Sequence, residues 1–582
     1  MAVFVFFVVS PAQAFGPPFI PEAVQTSPQL WSLYESFSPA QVIEATDGVY
    51  VARGYNRDNP VLIDGPDGLV VIDPGESINA SLVVKQAFND HLDDIFNRKP
   101  VKAVIYTHHH DCHIHGASVF AGPGTAIIAH ENLMDILYYD WFGQLYPSRR
   151  TGGTMMSGAL FASEPRWFSG GGLFCTQIHG PSGFLPPNVI VKDNLEMNIA
   201  GLDFIFYSAP GETRDVLVVW LPEKKTLIQI ANLYEAMPAF TTLRGAYARD
   251  PLSYIQSIDL YRSLNPEYLV LCHGPHPAIS GKATINQLLT NYRDAIQFIH
   301  DQTVQGMNKG LTAGEIKDIV KLPPHLANDL FLQETYGQVD RNIREIFWWY
   351  RGYFSGKCRD LYIHSPQEEA EMAAELAGGV EALAAKAQSA MEAGKLEWAL
   401  LFADNALLLD PQNTVARATK NATLISLAET TINAQTRNYL LSEYLVETKQ
   451  AIFPPAEHPK LAFKNMDDHA VGYMSMKDLF RIMAVNLNAE KSVNVQTSFG
   501  LYFNDLSTNI DEACYTLEIR KGILEAIKSP IYYCEFIVIA DSSVWKNIVL
   551  GKVLPRTAVE SGQAIVFGAA PEKFYEAMRL FD

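Results

Sequence analysis

Basic residues are scarce in this chain. Lys and Arg number 45 against 64 Asp and Glu, a formal net charge of −19 over 582 residues. Binding a phosphate backbone takes concentrated cationic side chains that displace counterions, so nucleic acid is excluded as the partner. An anionic small molecule is not, because one cation or arginine can dominate the field inside a cleft. Cysteine is sparse as well. The six present (Cys112, Cys175, Cys272, Cys358, Cys514, Cys534) show no CxxC spacing, which argues against a disulfide framework or a zinc knuckle. No internal apolar run reaches the roughly 20 residues of a spanning helix, so no transmembrane segment is expected. A hydrophobic share of 48% with 19% charged residues suits a globular protein. The length exceeds what one hydrophobic core organises, and several domains are expected.

The N-terminus runs Met1-Ala2-Val3-Phe4-Val5-Phe6-Phe7-Val8-Val9 and then Ser10-Pro11-Ala12-Gln13-Ala14. A short apolar stretch before an Ala-x-Ala-like site reads as a signal peptide, which would make the protein periplasmic or secreted. The first residues carry no Lys or Arg, and a merely frayed N-terminus on a cytoplasmic protein is the competing reading.

Three textures follow along the chain. From about Ala45 to Gly274, short β-patterned runs alternate with helical stretches. They include Gly48–Val51, Gly68–Asp73, Val101–Tyr106, Leu202–Tyr207, Val216–Leu221, Thr226–Ile230 and Tyr268–Cys272. That is an α/β layer arrangement. From about Ile279 to Leu440 the pattern is helical. It contains one clear helix–turn–helix unit, with a turn at Gly394 and a stop at Asp410-Pro411. From about Met474 onward, strands such as Tyr515–Ile519 mix with amphipathic helices in a small α+β module.

The strongest chemical signal is Thr107-His108-His109-His110-Asp111-Cys112-His113-Ile114-His115-Gly116-Ala117, directly after a β-run. A lone histidine is more often a satisfied polar residue than a ligand. Five within this short loop are hard for a core to satisfy, and neutral imidazoles converging above a strand end suit a zinc-like cation.

This stretch resembles the metallo-β-lactamase signature T-H-x-H-x-D-H. The resemblance makes His108 and His110 ligands of a first metal and His113 a ligand of a second, with Cys112 where the family has Asp. Gly68–Asp73 followed by Pro74-Gly75 resembles the family's strand and its buried aspartate, which supports the histidine loop. Pro210-Gly211-Glu212-Thr213 places Glu212 at a further ligand position, and Cys272-His273-Gly274-Pro275 matches the final His-Gly motif, with His273 the last ligand. Glu212 after a Pro-Gly turn, Thr242-Leu243-Arg244-Gly245-Ala246, and the later segments resemble the alkylsulfatases over roughly residues 30 to 582. The implied fold is α/β: a metallo-β-lactamase αββα sandwich at 30–290, an α-helical dimerisation domain at 291–450, and a small α+β sterol-carrier-like domain at 460–582.

Two departures touch the chemistry. Cys112 is either a thiolate ligand or a small buried residue beside a depleted site. Ala231 stands where alkylsulfatases carry a second glutamate; Glu235 lies nearby but reads as a solvated loop residue. Asp111 is a candidate ligand or general base. Arg244 is a candidate sulfate clamp with Thr242 as a hydroxyl donor, or else a surface ion pair. The resemblance implies one or two zinc ions, an amphiphilic sulfate ester as substrate, hydrolysis by metal-activated water, and a homodimer. The alternatives are a different reaction on the same fold and a non-catalytic dimer that binds amphiphiles.

Overall fold

Short β-branched runs punctuated by Gly, Pro and Asp pair into three sheets in the computed structural model, which describes residues 24–160, 172–173, 176–451, 459–506, 513–528 and 534–581. The candidate signal peptide at 1–14 lies outside the described residues.

The first sheet has sequential order, β1 (Gln41–Thr46), β2 (Val49–Arg53), β3 (Val61–Gly65), β4 (Gly68–Ile72), β5 (Val101–Ile105), β6 (Ala126–His130) and β7 (Val189–Val191). Hairpins build it as far as β4; β4 to β7 then run parallel. The second sheet contains β8 (Asn194–Ile199), β9 (Leu202–Ser208), β10 (Leu217–Leu221), β11 (Thr226–Gln229), β12 (Tyr268–Leu271) and β13 (Ala278–Ser280). Its β11–β12 pair is parallel.

Val51, Ile63, Val70, Ile72 and Ile105 of the first sheet share one buried core with Phe206, Val219, Ile228 and Val270 of the second. On the outer face of the second sheet, Val218, Leu227 and Leu269 pack with Ile285, Leu289 and Ile296 of the helix Lys282–Asn308, and with Ile343 and Ile346 of the helix Val339–Arg351. Ile78–His91 is another of the helices in these layers. This is the αββα sandwich expected from the sequence. The helix Lys282–Asn308 runs unbroken through residue 290, where the sequence suggested a boundary, because its apolar face belongs to the sandwich core.

Helices Val380–Glu392 and Leu396–Leu409 flank Gly394, whose φ of +70° glycine adopts without strain. Two more, Thr414–Thr430 and Ala434–Glu447, extend the single repeat seen in the sequence. Lys420 ties them together through ion pairs to Asp404 and Glu443 at 2.7 Å and to Glu447 at 3.1 Å.

The chain divides into two compact units, one made of residues 1–133 and 152–453, the other of 134–151 and 454–582. The second is a small α/β module with a five-stranded sheet ordered β16 (Ile523–Lys528), β15 (Cys514–Arg520), β14 (Gln496–Phe503), β17 (Phe536–Ala540), β18 (Ala564–Phe567). Trp545 and Phe574, on helices Ser542–Val549 and Pro571–Met578, pack on Phe499 and Phe536 of that sheet. Segment 134–151 joins this unit although nothing in its sequence marks it out. Among the described residues, no helix is long and apolar enough to cross a membrane.

Candidate metal centre

The functional side chains sit where strands end. In open α/β sheets the loops beyond the carboxyl ends of parallel strands converge on one crevice. Beyond β4, Asp73 takes a left-handed conformation, φ 51°, which a short polar side chain tolerates. Its carboxylate accepts from Thr107 N at 2.9 Å and Thr107 Oγ1 at 2.7 Å, at the head of the histidine loop that follows β5. A third bond comes from His113 Nδ1 at 2.7 Å. Gly116 lets this loop close on the β4 turn, since a Cβ there would lie 2.4 Å from Pro74 O. Asp58, fully buried, adds a second carboxylate 3.4 Å from His113 Nδ1. Burial lifts the Asp58 carboxyl to about 6 against the pull of His113. His109 turns the other way, with Nδ1 3.0 Å from Asp215 Oδ1.

Glu212 reaches the same point from the loop after β9. Asn232 holds that turn, accepting from Glu212 N at 2.8 Å and donating to Ala209 O at 2.7 Å. His273 arrives from the end of β12.

Two of the donor groups among the described residues combine the histidine loop with Glu212 and with His273, and another joins Asp58 and Asp73 to His113. One nitrogen each of His108 and His110 and one oxygen of Glu212 lie within 4.8 Å of one another; so do Cys112 Sγ and one nitrogen each of His113 and His273. All six residues are buried. The sets are adjacent, with the His108 and His113 rings 4.3 Å apart between centroids. In the first, His108 Nε2 faces His110 Nδ1 at 2.8 Å, and Glu212 Oε2 lies 3.6 and 3.8 Å from those atoms.

The residues fit a cation. Burial holds His108, His110 and His273 well below the usual imidazole range, which leaves their lone pairs available. His113 Nε2 is buried without a hydrogen-bond partner. Burial opposes charge on His113, but Cys112 in its thiolate form and the Asp73 and Asp58 carboxylates outweigh it and hold the ring well above its usual value.

Arg244 is buried rather than a surface ion pair, and its Nη2 lies 2.9 Å from His110 Nε2. Thr242 is buried too, its Oγ1 without a hydrogen-bond partner.

Asp111 is placed, and the expectation of a solvated Glu235 is corrected. Asp111 joins neither donor set. Arg57 Nη2 takes its carboxylate at 2.6 Å and, with burial working in the opposite direction, holds it well below the ordinary carboxylate range. A carboxylate so stabilised is a poor general base. Asp111→Asn is therefore expected to cost about 1.5–3 kcal/mol of stability, the worth of a charged hydrogen bond, with an unchanged pH–rate profile. Urea denaturation and initial rates across pH check it. Glu235 is not solvated: it is buried, with both carboxylate oxygens 2.9 Å from His276 Nδ1. It joins neither set and does not replace the glutamate missing at Ala231.

Sequence reasoning missed Arg249, Arg57 and Asp58. Arg249, buried, places Nη2 2.8 Å from Glu212 Oε1 and donates from Nη1 to Ala239 O at 2.6 Å. Each lies in a loop with no periodic pattern, so only proximity in space marks it.

The same architecture recurs in known proteins. Residues 56–273 match the metallo-beta-lactamase superfamily and 312–449 match the alkyl sulfatase dimerisation family. A linear primary-alkylsulfatase of Pseudomonas sp. is 32% identical over 522 residues, which cover 84% of this chain and 95% of the relative. The chain belongs to the alkylsulfatases of the metallo-β-lactamase superfamily. An (R)-specific secondary-alkylsulfatase of Pseudomonas sp. is 25% identical over 512 residues, covering 86% of this chain and 74% of that one. The solved structure of the stereoselective inverting sec-alkylsulfatase Pisa1 from Pseudomonas sp. superposes with a TM-score of 0.85 at 24% identity, over 96% of this chain and 87% of that one. This family member is thus an alkylsulfatase-like metallo-hydrolase carrying buried histidine-rich donor sets.

Proposed function

We propose that this protein releases inorganic sulfate from sulfate esters of alkyl alcohols, using zinc held by His108, His110 and Glu212 and by Cys112, His113 and His273. The observation that carries this reading is the pair of adjacent buried donor sets with the Arg244 guanidinium against His110. Bound there, zinc supplies Lewis-acid polarisation of the ester and activates water for attack.

The chain's own residues do the rest. Asp73 orients His113 and braces Thr107, so the histidines keep their aim without rearrangement. Arg244, with five N–H donors in a planar fork, binds sulfate oxygens in two parallel hydrogen bonds. Thr242 Oγ1, buried and unpartnered, donates a further one. Burial of these donors keeps water from competing for the sulfate. Arg244→Ala is expected to lower kcat/KM about 10- to 100-fold, the value of a charge-assisted contact of about 1.5–3 kcal/mol. Arg244→Lys is expected to recover little of this, because a point charge cannot form the paired bonds.

The test is sulfate release from a long-chain primary alkyl sulfate. Activity that chelation abolishes and zinc restores supports the proposal. A zinc-loaded protein inert toward both primary and secondary alkyl sulfates overturns it.

The protein is further proposed to act as a homodimer. Trp348, Tyr353, Tyr362, Ile363 and Leu376 are exposed within the region that matches the dimerisation family. An obligate partner surface is typically richer in apolar side chains than the rest of the exterior. Sedimentation at micromolar concentration is expected to show a dimer, and Tyr362→Glu with Ile363→Glu to shift it toward monomer.

A further inference from the structure

We propose that the centre is two unequal half-sites, a thiophilic one at Cys112, His113 and His273 that takes the first cation, and His108, His110 and Glu212, which take the second. The inference rests on the metal reading above and concerns what these particular residues do to it.

Neither position 231 nor Glu235 supplies a carboxylate to join the halves. Ala231 is fully buried in the apolar core beside Leu233 and Met237 and offers no ligand atom. Glu235 is engaged by His276. Glu212 divides its two oxygens: Oε1 goes to Arg249 at 2.8 Å, and Oε2 faces His108 and His110 at 3.6 and 3.8 Å. A bridging anion offsets the mutual repulsion of two adjacent dications. Without one, the first ion to bind raises the cost of the second.

The surrounding charges decide which half fills first. Around His108, His110 and Glu212 the carboxylate is already neutralised by Arg249, and Arg244 brings a second guanidinium to 2.9 Å from His110. Both oppose an incoming cation. Around Cys112, His113 and His273 the balance is reversed. His113 is backed by Asp73 at 2.7 Å and Asp58 at 3.4 Å. On that side the Arg57 guanidinium is paired to Asp111 at 2.6 Å and to Glu76 at 3.4 Å. The buried Nε2 of His113, without a hydrogen-bond partner, is the second sign of a ligand position beside the thiol. A thiolate with two imidazoles selects soft and borderline cations such as zinc, cadmium and cobalt(II) over magnesium, calcium and manganese.

The experiment is stepwise addition of cobalt(II) to full-length protein stripped by chelation, followed by absorption and by calorimetry. A thiolate-to-cobalt charge-transfer band that is complete at the first equivalent, with the second equivalent binding about 100-fold or more weakly, is the expected result. In Cys112→Ser the band is expected to vanish, with one equivalent still bound more tightly than the wild type's second, since the repelling neighbour is gone. Cys112→Asp keeps an anionic ligand and controls for misfolding: it is expected to bind a first equivalent without the band. Three results would overturn the proposal while leaving a metalloenzyme: two equivalents without the band, a band that grows only over the second, or two steps of equal affinity. A wild-type protein that binds neither cobalt nor zinc would overturn both the proposal and the reading beneath it.

Discussion

His108→Ala is expected to reduce sulfate release by about a thousandfold, the rate equivalent of the roughly 4 kcal/mol that a metal ion contributes to the transition state. His108 is fully buried, and its Nε2 faces both His110 and Glu212, so no solvent ligand can reach its place without opening the loop. The brace between Thr107 and Asp73 is untouched by the change, and the loop retains its course. Metal content should therefore fall while the folded state persists. Turnover of an alkyl sulfate, elemental analysis and circular dichroism on the same preparation check the three parts together. A variant within tenfold of wild-type turnover would remove this half-site from the mechanism.

Arg249→Leu is expected to destabilise the metal-free protein by about 3–5 kcal/mol, the cost of leaving one member of a buried ion pair uncompensated. Arg249 and Glu212 are both buried and meet at 2.8 Å, and burial would drive either charge out of a site where it stood alone. The loss should be smaller in zinc-loaded protein, where Glu212 gains a cation in exchange for the guanidinium. Adding Glu212→Gln to the variant should restore part of the stability, because the orphaned charge disappears with it. Urea denaturation of the four proteins of that cycle, with and without zinc, measures the coupling directly. Equal losses in both metal states would mean that Arg249 does not compensate Glu212.

The sheets were legible because alternation and β-branched runs record burial on a pleated surface locally. Val70, Ile72, Ile105 and Val270 sit in the shared core that this pattern calls for. The histidine loop was legible because its donors are nearly consecutive. Glu212 and His273 were found by resemblance alone, each marked by a turn motif. The surroundings of Asp111 were not legible because its neighbours in sequence are donor-group residues, whereas its partner in space, Arg57, comes from a loop on the other side of β4. Glu235 misled for the same reason: an acidic residue in an irregular stretch reads as solvated until His276 is seen to return against it.

The sequence by itself determined the kinds of donor available and the strand ends that carry them, because strand periodicity and a run of imidazoles are written in neighbouring residues. Tertiary structure alone decided which donors lie within reach of one another, that Arg249 neutralises Glu212, and that Asp58 and Asp73 back His113. Those pairings depend on distances of a few ångströms between residues far apart in the chain, and only the packing of the two sheets sets such distances.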